Sequence, residues 1–402
     1  MGMQNSANSA SPRIYLDHNA TTPPSEVLRT HSQELFSVWG NPSSIHFDSR
    51  SPKTFLRETR QKIAKLLNVS PLEIIFNSGA TEGNNSVLKS VWDELKKSRS
   101  EIIVSQIEHP SVMRTVDYLE SLGAKVHRIK VTRQGEFDFE QFKSVLSQRT
   151  AIVSVMFANN ETGFILPIQK ISELAHSVGA LMHSDCVQMI GKSEFDFKSL
   201  GVDYATFSAH KFYSLKGTGF VYIKKGSPWV PLIHGGGQER ARRGGTENVI
   251  GIVALGLVLD NVLTDVKNKF EKVKEMEKLR EYMEHQILKN LPNVTVTGHA
   301  ASRVANTSSF IIQGVDGETL LMSLDLKGFS VSTGAACSSG SPEPSPVLLA
   351  LGMTKAEAQN SLRVSLGWET TIEEIKKFVE ELKLTVEKLR AIEEESMHYV
   401  RE

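Results

Sequence analysis

The sequence predicts an α/β domain built on a mainly parallel sheet, joined to a smaller α+β domain. From about residue 50 to residue 223, short apolar runs of strand length alternate with segments of helical spacing, the pattern of strands linked by crossover helices. Near residue 265 the character changes to long charged helical stretches separated by short strands. The 402 residues, 40% of them hydrophobic, suffice for two domains and a large core.

The elements follow in order. Residues 53–67 show helical spacing through Phe55, Ile63, Leu66 and Leu67. A strand is expected over 73–77, a helix over 81–95, a strand over 102–106 and a helix over 111–122. A buried strand follows over 151–157, then a helix over 168–178 and strands over 181–184, 204–208 and 219–223. The apolar stretch 249–259 is short of the ~20 residues that span a bilayer and reads as a buried helix. Beyond it come a charged helix over 266–289, strands over 294–297, 308–312, 330–332 and 362–365, and a closing helix from 371 to about 395. The N-terminal segment is expected to pack against this second part. The boundaries are therefore 26–265 for the large domain, with 1–25 and 266–402 forming the small one.

Bulk composition narrows the function. Lys+Arg and Asp+Glu balance at 46 each, so nothing points to a nucleic-acid or anionic-membrane partner. With only Cys186 and Cys337, a disulfide-stapled secreted fold is not expected, and a reducing, cytoplasmic setting is. The first twelve residues, rich in Ser, Asn and Ala, read as a tail and not as a signal peptide. No metal site is expected.

Several segments carry chemistry. Asn77-Ser78-Gly79-Ala80-Thr81-Glu82 lies between a strand and a helix, where small residues let backbone N–H groups close on an anion. Thr81 can cap that helix or donate to a phosphate oxygen. Ser208-Ala209-His210-Lys211 follows a strand; a lysine there, desolvated in a cleft, can lose its proton and hold an aldehyde, although most lysines simply face solvent. Asp185, ending the strand before Cys186-Val187-Gln188, can pair with a protonated pyridine nitrogen or cap the next turn. His109, in Glu108-His109-Pro110-Ser111, can stack on a planar ring and relay protons, or be structural. Asn159-Asn160-Glu161-Thr162-Gly163 is either a turn or a source of a side-chain amide for a phenolic oxygen.

Arg363 sits in an apolar strand and needs a partner, either a substrate carboxylate or an internal acid. Cys186 reads as a small buried hydrophobe more readily than as a second reactive thiol. Cys337, in Thr333-Gly334-Ala335-Ala336-Cys337-Ser338-Ser339-Gly340, lies on a small-residue loop followed by Pro342 and Pro344. A mobile, exposed thiol there suits attack on a substrate and hand-over to another protein.

Together these blocks resemble the class V aminotransferase-fold, pyridoxal-phosphate enzymes, and most closely the group I cysteine desulfurases. The resemblance starts at Tyr15-Leu16-Asp17-His18-Asn19-Ala20-Thr21-Thr22-Pro23. It passes through Trp39-Gly40-Asn41-Pro42-Ser43, Gly235-Gly236-Gly237-Gln238-Glu239 and Arg243-Gly244-Gly245-Thr246-Glu247-Asn248, and ends at Gly367. It implies fold type I, with a seven-stranded, mainly parallel sheet flanked by helices. It also implies pyridoxal 5'-phosphate as cofactor. Lys211 would carry it, Asp185 would pair with the ring nitrogen, and Gln188 and Asn160 would hold the ring hydroxyl side. His109 would stack over the ring and relay protons. Ala80 through its backbone, Thr81, Ser208 and His210 would bind the phosphate, and Thr246 would reach the phosphate of a neighbouring subunit in a homodimer. Arg363, with Asn19 nearby, would hold the substrate carboxylate, and Cys337 would carry the persulfide.

The implied activity is removal of sulfur from L-cysteine, leaving alanine, with the sulfur passed to an acceptor protein in iron–sulfur cluster assembly or tRNA thiolation. A selenocysteine lyase, a true class V aminotransferase and a non-catalytic scaffold are the alternatives. Two departures from the family pattern stand out: Ser214-Leu215 where Gly-Pro is common, and Cys186 where alanine is usual.

Overall fold

The computed structural model describes residues 13–333 and 343–399, with side chains to residue 395. Cys337 and its neighbours in 334–342 lie outside the described residues.

The large sheet has seven strands. Across it they run Ile74–Asn77, Gly219–Ile223, Tyr204–Ser208, Leu181–Asp185, Thr150–Ser154, Glu101–Ser105 and Lys125–Ile129. Gly219–Ile223 is antiparallel to both neighbours, and every other pair is parallel. All strands but one therefore point the same way, and their C-terminal ends share one edge of the sheet. Crevices at that edge are where ligands bind in open α/β folds.

The central strands are buried along their whole length, because helices cover both faces. Lys125–Ile129 was not among the strands expected from the sequence. Its run Lys-Val-His-Arg-Ile lacks an apolar face, which an edge strand tolerates. Buried Glu101 holds this edge, with Lys125 at 3.6 Å, His127 at 3.2 Å and Arg149 at 3.3 Å.

Two expected helices come out differently. The apolar helix runs Val249–Lys267, longer than the stretch read from the sequence, and is long and apolar enough by composition to cross a bilayer. It is instead largely buried, packing along Arg50–Leu67. That packing needs glycine at 256, where an added Cβ would lie 2.3 Å from the Thr59 hydroxyl, which donates to the Ile252 carbonyl. The charged helix begins only at Glu271. Lys269 and Phe270 take left-handed backbone at φ 57° and 59°, and the Asp265 carboxylate accepts from the Lys272 N–H at 2.8 Å. An Asp that binds backbone beyond the break gives the chain an alternative to continuous helix.

A second core surrounds a three-stranded antiparallel sheet of Ser361–Ser365, Thr307–Ile312 and Val294–Val296. Glu271–Asn290, Gly317–Leu326 and Ile372–Tyr399 pack there, with Phe310, Val364, Phe378 and Leu382 at the centre. Leu16 joins the same core, and Ile14–Tyr15 pairs parallel with Phe329–Ser330. This brings Asp17 and Asn19 alongside Ser365 and the ends of the large sheet.

Candidate active site

A cavity of about 560 Å³ opens at the C-terminal edge of the large sheet, within the range of small-molecule sites. Asn19, Ala80, Thr81, His109, Asn160, Asp185, Gln188, Ser208, His210, Lys211 and Arg363 all line it. Among the described residues, the site residues expected from the sequence are thus brought together, apart from Thr246; Cys337 lies outside the described residues. Thr246 lines a separate cavity of about 150 Å³, which shares Ser78 and Gly217 with the first.

Each side chain is placed by its strand end. Lys211 follows Tyr204–Ser208, and its Nζ donates to the carbonyls of Asn19 at 2.6 Å and Ala20 at 2.8 Å. Both partners are neutral. Burial, and next the Arg363 guanidinium, lower the amine to about 8, against smaller opposing pulls from Asp17 and Asp185. His210 beside it is lowered to about 4 by burial and then by Lys211, so it is neutral at pH 7.

Asp185 ends Leu181–Asp185. One carboxylate oxygen accepts from the Val187 N–H at 3.0 Å and the other from Asn84 at 2.7 Å. His109 caps the helix Pro110–Ser121; its Nδ1 accepts from the Ser111 N–H at 3.1 Å and lies 2.8 Å from the Ser111 hydroxyl. A ring nitrogen that accepts from a backbone N–H carries no proton, so the neutral imidazole keeps its hydrogen on Nε2. Burial lowers its basicity, as does Lys211, while Asp185 raises it.

The anion seat is the start of Ala80–Leu95. Gly79 precedes it at φ 142°, a conformation that side chains rarely adopt, and an added Cβ would sit 3.3 Å from the Ser208 hydroxyl. The N–H groups of the first turn, with Thr81 and Ser208 beside them, line the cavity and could seat a phosphate.

Arg363 forms the internal ion pair that was one of its two readings. Its Nη2 lies 2.7 Å from Asp17, and Nη1 donates to the Asn160 carbonyl at 3.2 Å. Asn19 Nδ2 donates to that carbonyl at 3.0 Å.

Three participants escaped the sequence reading. Asn84 donates to Asp185 and, at 2.9 Å, to the Ser111 hydroxyl, while accepting from Thr206 at 2.5 Å. It shares the buried helix face of Val87, Leu88 and Val91, so a polar residue in an apolar i, i+3, i+4, i+7 stripe was the available signal. Ser111 links Asn84 to His109. Lys192 is a buried lysine behind Gln188 and Asn19.

This donor set fits pyridoxal phosphate. A helix start could take the phosphate, a carboxylate could face the ring nitrogen, an imidazole lines the wall, and a lysine of lowered basicity could hold the aldehyde. The fold and site define a scaffold of the fold type I kind, with its lysine at a sheet edge. The family model for aminotransferase class-V matches residues 14–378. A cysteine desulfurase IscS of Dictyoglomus turgidum is 41% identical over 380 residues, 94% of this chain and 96% of the relative. A cysteine desulfurase of Cereibacter sphaeroides is 40% identical over 383 residues, 94% and 97%. A solved NifS-like protein superposes at a TM-score of 0.86 with 36% identity, covering 93% of this chain and 99% of its own. The chain belongs to the aminotransferase class-V family, in its cysteine desulfurase branch. Enzymes of this family depend on pyridoxal phosphate.

Proposed function

We propose that this chain removes sulfur from L-cysteine, leaving L-alanine and a persulfide on Cys337 that passes to an acceptor protein such as an iron–sulfur scaffold. The carrying observation is that both stems of the Cys337 loop are tied to the cavity. Ser332 exchanges backbone hydrogen bonds with Arg363 at 3.1 and 2.7 Å. Ser345 donates its hydroxyl to Glu161, next to Asn160, at 2.5 Å. Cys337 is four residues beyond Thr333, so chain length limits it to ~14 Å from that stem. Arg363 lines the cavity, so that tether starts from its wall.

Bound pyridoxal phosphate supplies an electron-withdrawing ring that stabilises negative charge at the substrate's Cα. Lys211 would hold it, with Ala80, Thr81, Ser208 and His210 at its phosphate, Asp185 at its ring nitrogen, and Asn160 and Gln188 at its hydroxyl. Lys211 Nζ takes the Cα proton, which an amine lowered to about 8 can do near neutral pH. His109 Nε2–H is positioned as proton relay, and its orientation is fixed through Ser111. Arg363, which pairs with Asp17, would share its guanidinium with the substrate carboxylate, with Asn19 beside it. The Cys337 thiolate bonds to the substrate sulfur as the Cβ–S bond breaks, a proton completes the methyl group at Cβ, and Lys211 returns a proton to Cα to give alanine. Thr246 would serve the neighbouring subunit of a homodimer. The reducing interior of a cell suits a thiol of this use.

The test is an alanine and sulfide assay on L-cysteine, run with and without a thiol reductant. Alanine in both conditions, with sulfide released only by reductant, supports the reading. Alanine formed only when a 2-oxo acid is added would replace it with an aminotransferase.

A further inference from the structure

Lys192 is 4% exposed, and no described carboxylate forms an ion pair with it. A lysine is rarely buried without an acid. Its amine instead donates to two side-chain carbonyls, Gln188 Oε1 in a short contact and Asn19 Oδ1 at 3.2 Å. Both amides line the cavity.

The orientations of the two amides follow from their partners. Asn19 Oδ1 also accepts from Asn306 at 3.0 Å, and its Nδ2 donates to the Asn160 carbonyl and the Thr307 hydroxyl. Turning that amide over would set donor against donor and acceptor against acceptor. Gln188 Nε2 lies 3.5 Å from the Asn19 backbone carbonyl, the same oxygen that accepts from Lys211 Nζ at 2.6 Å. With its Oε1 held by Lys192, Gln188 presents its N–H groups beside the Lys211 amine.

We propose that Lys192 is a positioning residue that locks the Gln188 carboxamide so that its N–H donor meets the phenolic oxygen of the bound cofactor. The proposal rests on the reading that this cavity holds pyridoxal phosphate. The phenolic oxygen neighbours the aldehyde carbon that Lys211 captures, so a donor beside Lys211 Nζ is where that oxygen arrives. Lys192 feels the charges of Lys211, Arg363 and Asp17. Burial drives it toward the neutral amine, which still has the two N–H groups that these contacts use.

The experiment uses full-length protein carrying pyridoxal phosphate, and protein stripped of it. Lys192→Met, similar in length and without donors, is expected to raise the pH midpoint of the cofactor's visible band by roughly one unit, because an unsupported amide no longer stabilises the phenolate. Equilibrium binding of pyridoxal phosphate should weaken about tenfold. Gln188→Leu should give the same shift, and the double variant no more than Gln188→Leu alone. Lys192→Gln, too short to reach both carbonyls, serves if the Met variant does not fold.

A folded Lys192 variant with wild-type midpoint and affinity overturns the proposal. So does a shift that adds in full to that of Gln188→Leu, the mark of a merely structural role. Wild-type protein that takes up no pyridoxal phosphate would instead sink the functional reading beneath it.

Discussion

The basicity of Lys211 is the most exposed part of this account to measurement. Burial, then Arg363, lower its amine from 10.5 to about 8. At pH 7 about one amine in eleven is then unprotonated, against about one in three thousand for an ordinary lysine, a gain of roughly 300-fold. Only the unprotonated form captures an aldehyde. The rate at which stripped protein captures pyridoxal phosphate should therefore rise tenfold per pH unit up to about 8 and flatten above it. Replacing Arg363 with Met removes one of the lowering charges and leaves Asp17 unpaired, and Asp17 pulls the amine upward. Both changes act in one direction, so the bend should move to higher pH. Stopped-flow absorbance from about pH 6 to 10 follows the capture. A rate that climbs through pH 10 without bending, or a bend that Arg363→Met leaves in place, would refute the reasoning.

Three further outcomes are expected. Glu108, whose carboxylate accepts from Ser105 at 2.5 Å and the Met156 N–H at 2.9 Å, is pushed up by burial to about 8. Its folded value lies above its unfolded one, so its stability contribution is complete below about pH 4.5 and is lost as pH rises through 8. Glu108→Gln cannot titrate, so its melting temperature should gain on wild type from pH 5 to 9, by an amount worth a few kcal/mol; a constant difference contradicts this. His183, buried with its Nδ1 2.8 Å from the Ser154 hydroxyl, is lowered to about 3. A depressed histidine means that stability is lost as pH falls from 6.5 toward 3, and His183→Asn should flatten part of that slope in acid melts. Gly79→Ala should cost about 1–3 kcal/mol of backbone strain at the phosphate seat. Affinity for pyridoxal phosphate should fall more than affinity for phosphate-free pyridoxal, and equal losses would argue against the seat.

The parts of this molecule that were legible in advance share a physical feature. Strands such as Thr150–Ser154 are buried on both faces and so read as unbroken apolar runs. The site residues at their ends sit in short motifs whose residue types the chemistry demands, as with His210-Lys211 after Tyr204–Ser208. Lys125–Ile129 was hidden because an edge strand needs no apolar face. The break before Glu271 was hidden because a single Asp265 carboxylate, and no proline or glycine, ends one helix and starts the next. The partnership of Arg363 was a real ambiguity, since choosing Asp17 depends on a chain crossing from residue 17 to residue 363. Asn84 and Lys192 were missed for a related reason. Each looks ordinary until the fold supplies carbonyls, hydroxyls and a carboxylate from distant segments.

The central claim is that Cys337, and not buried Cys186, receives the sulfur. Burial pushes the Cys186 thiol far above its ordinary range, which keeps it out of thiolate chemistry. The decisive measurement is mass spectrometry of the protein after brief exposure to L-cysteine, alongside a count of alanine, for wild type and Cys337→Ser. One added sulfur is expected on the Cys337 peptide and none on the Cys186 peptide. In Cys337→Ser, the cofactor band is retained and alanine production is lost. Alanine formed at the wild-type rate by Cys337→Ser, or sulfur carried on Cys186, would contradict it.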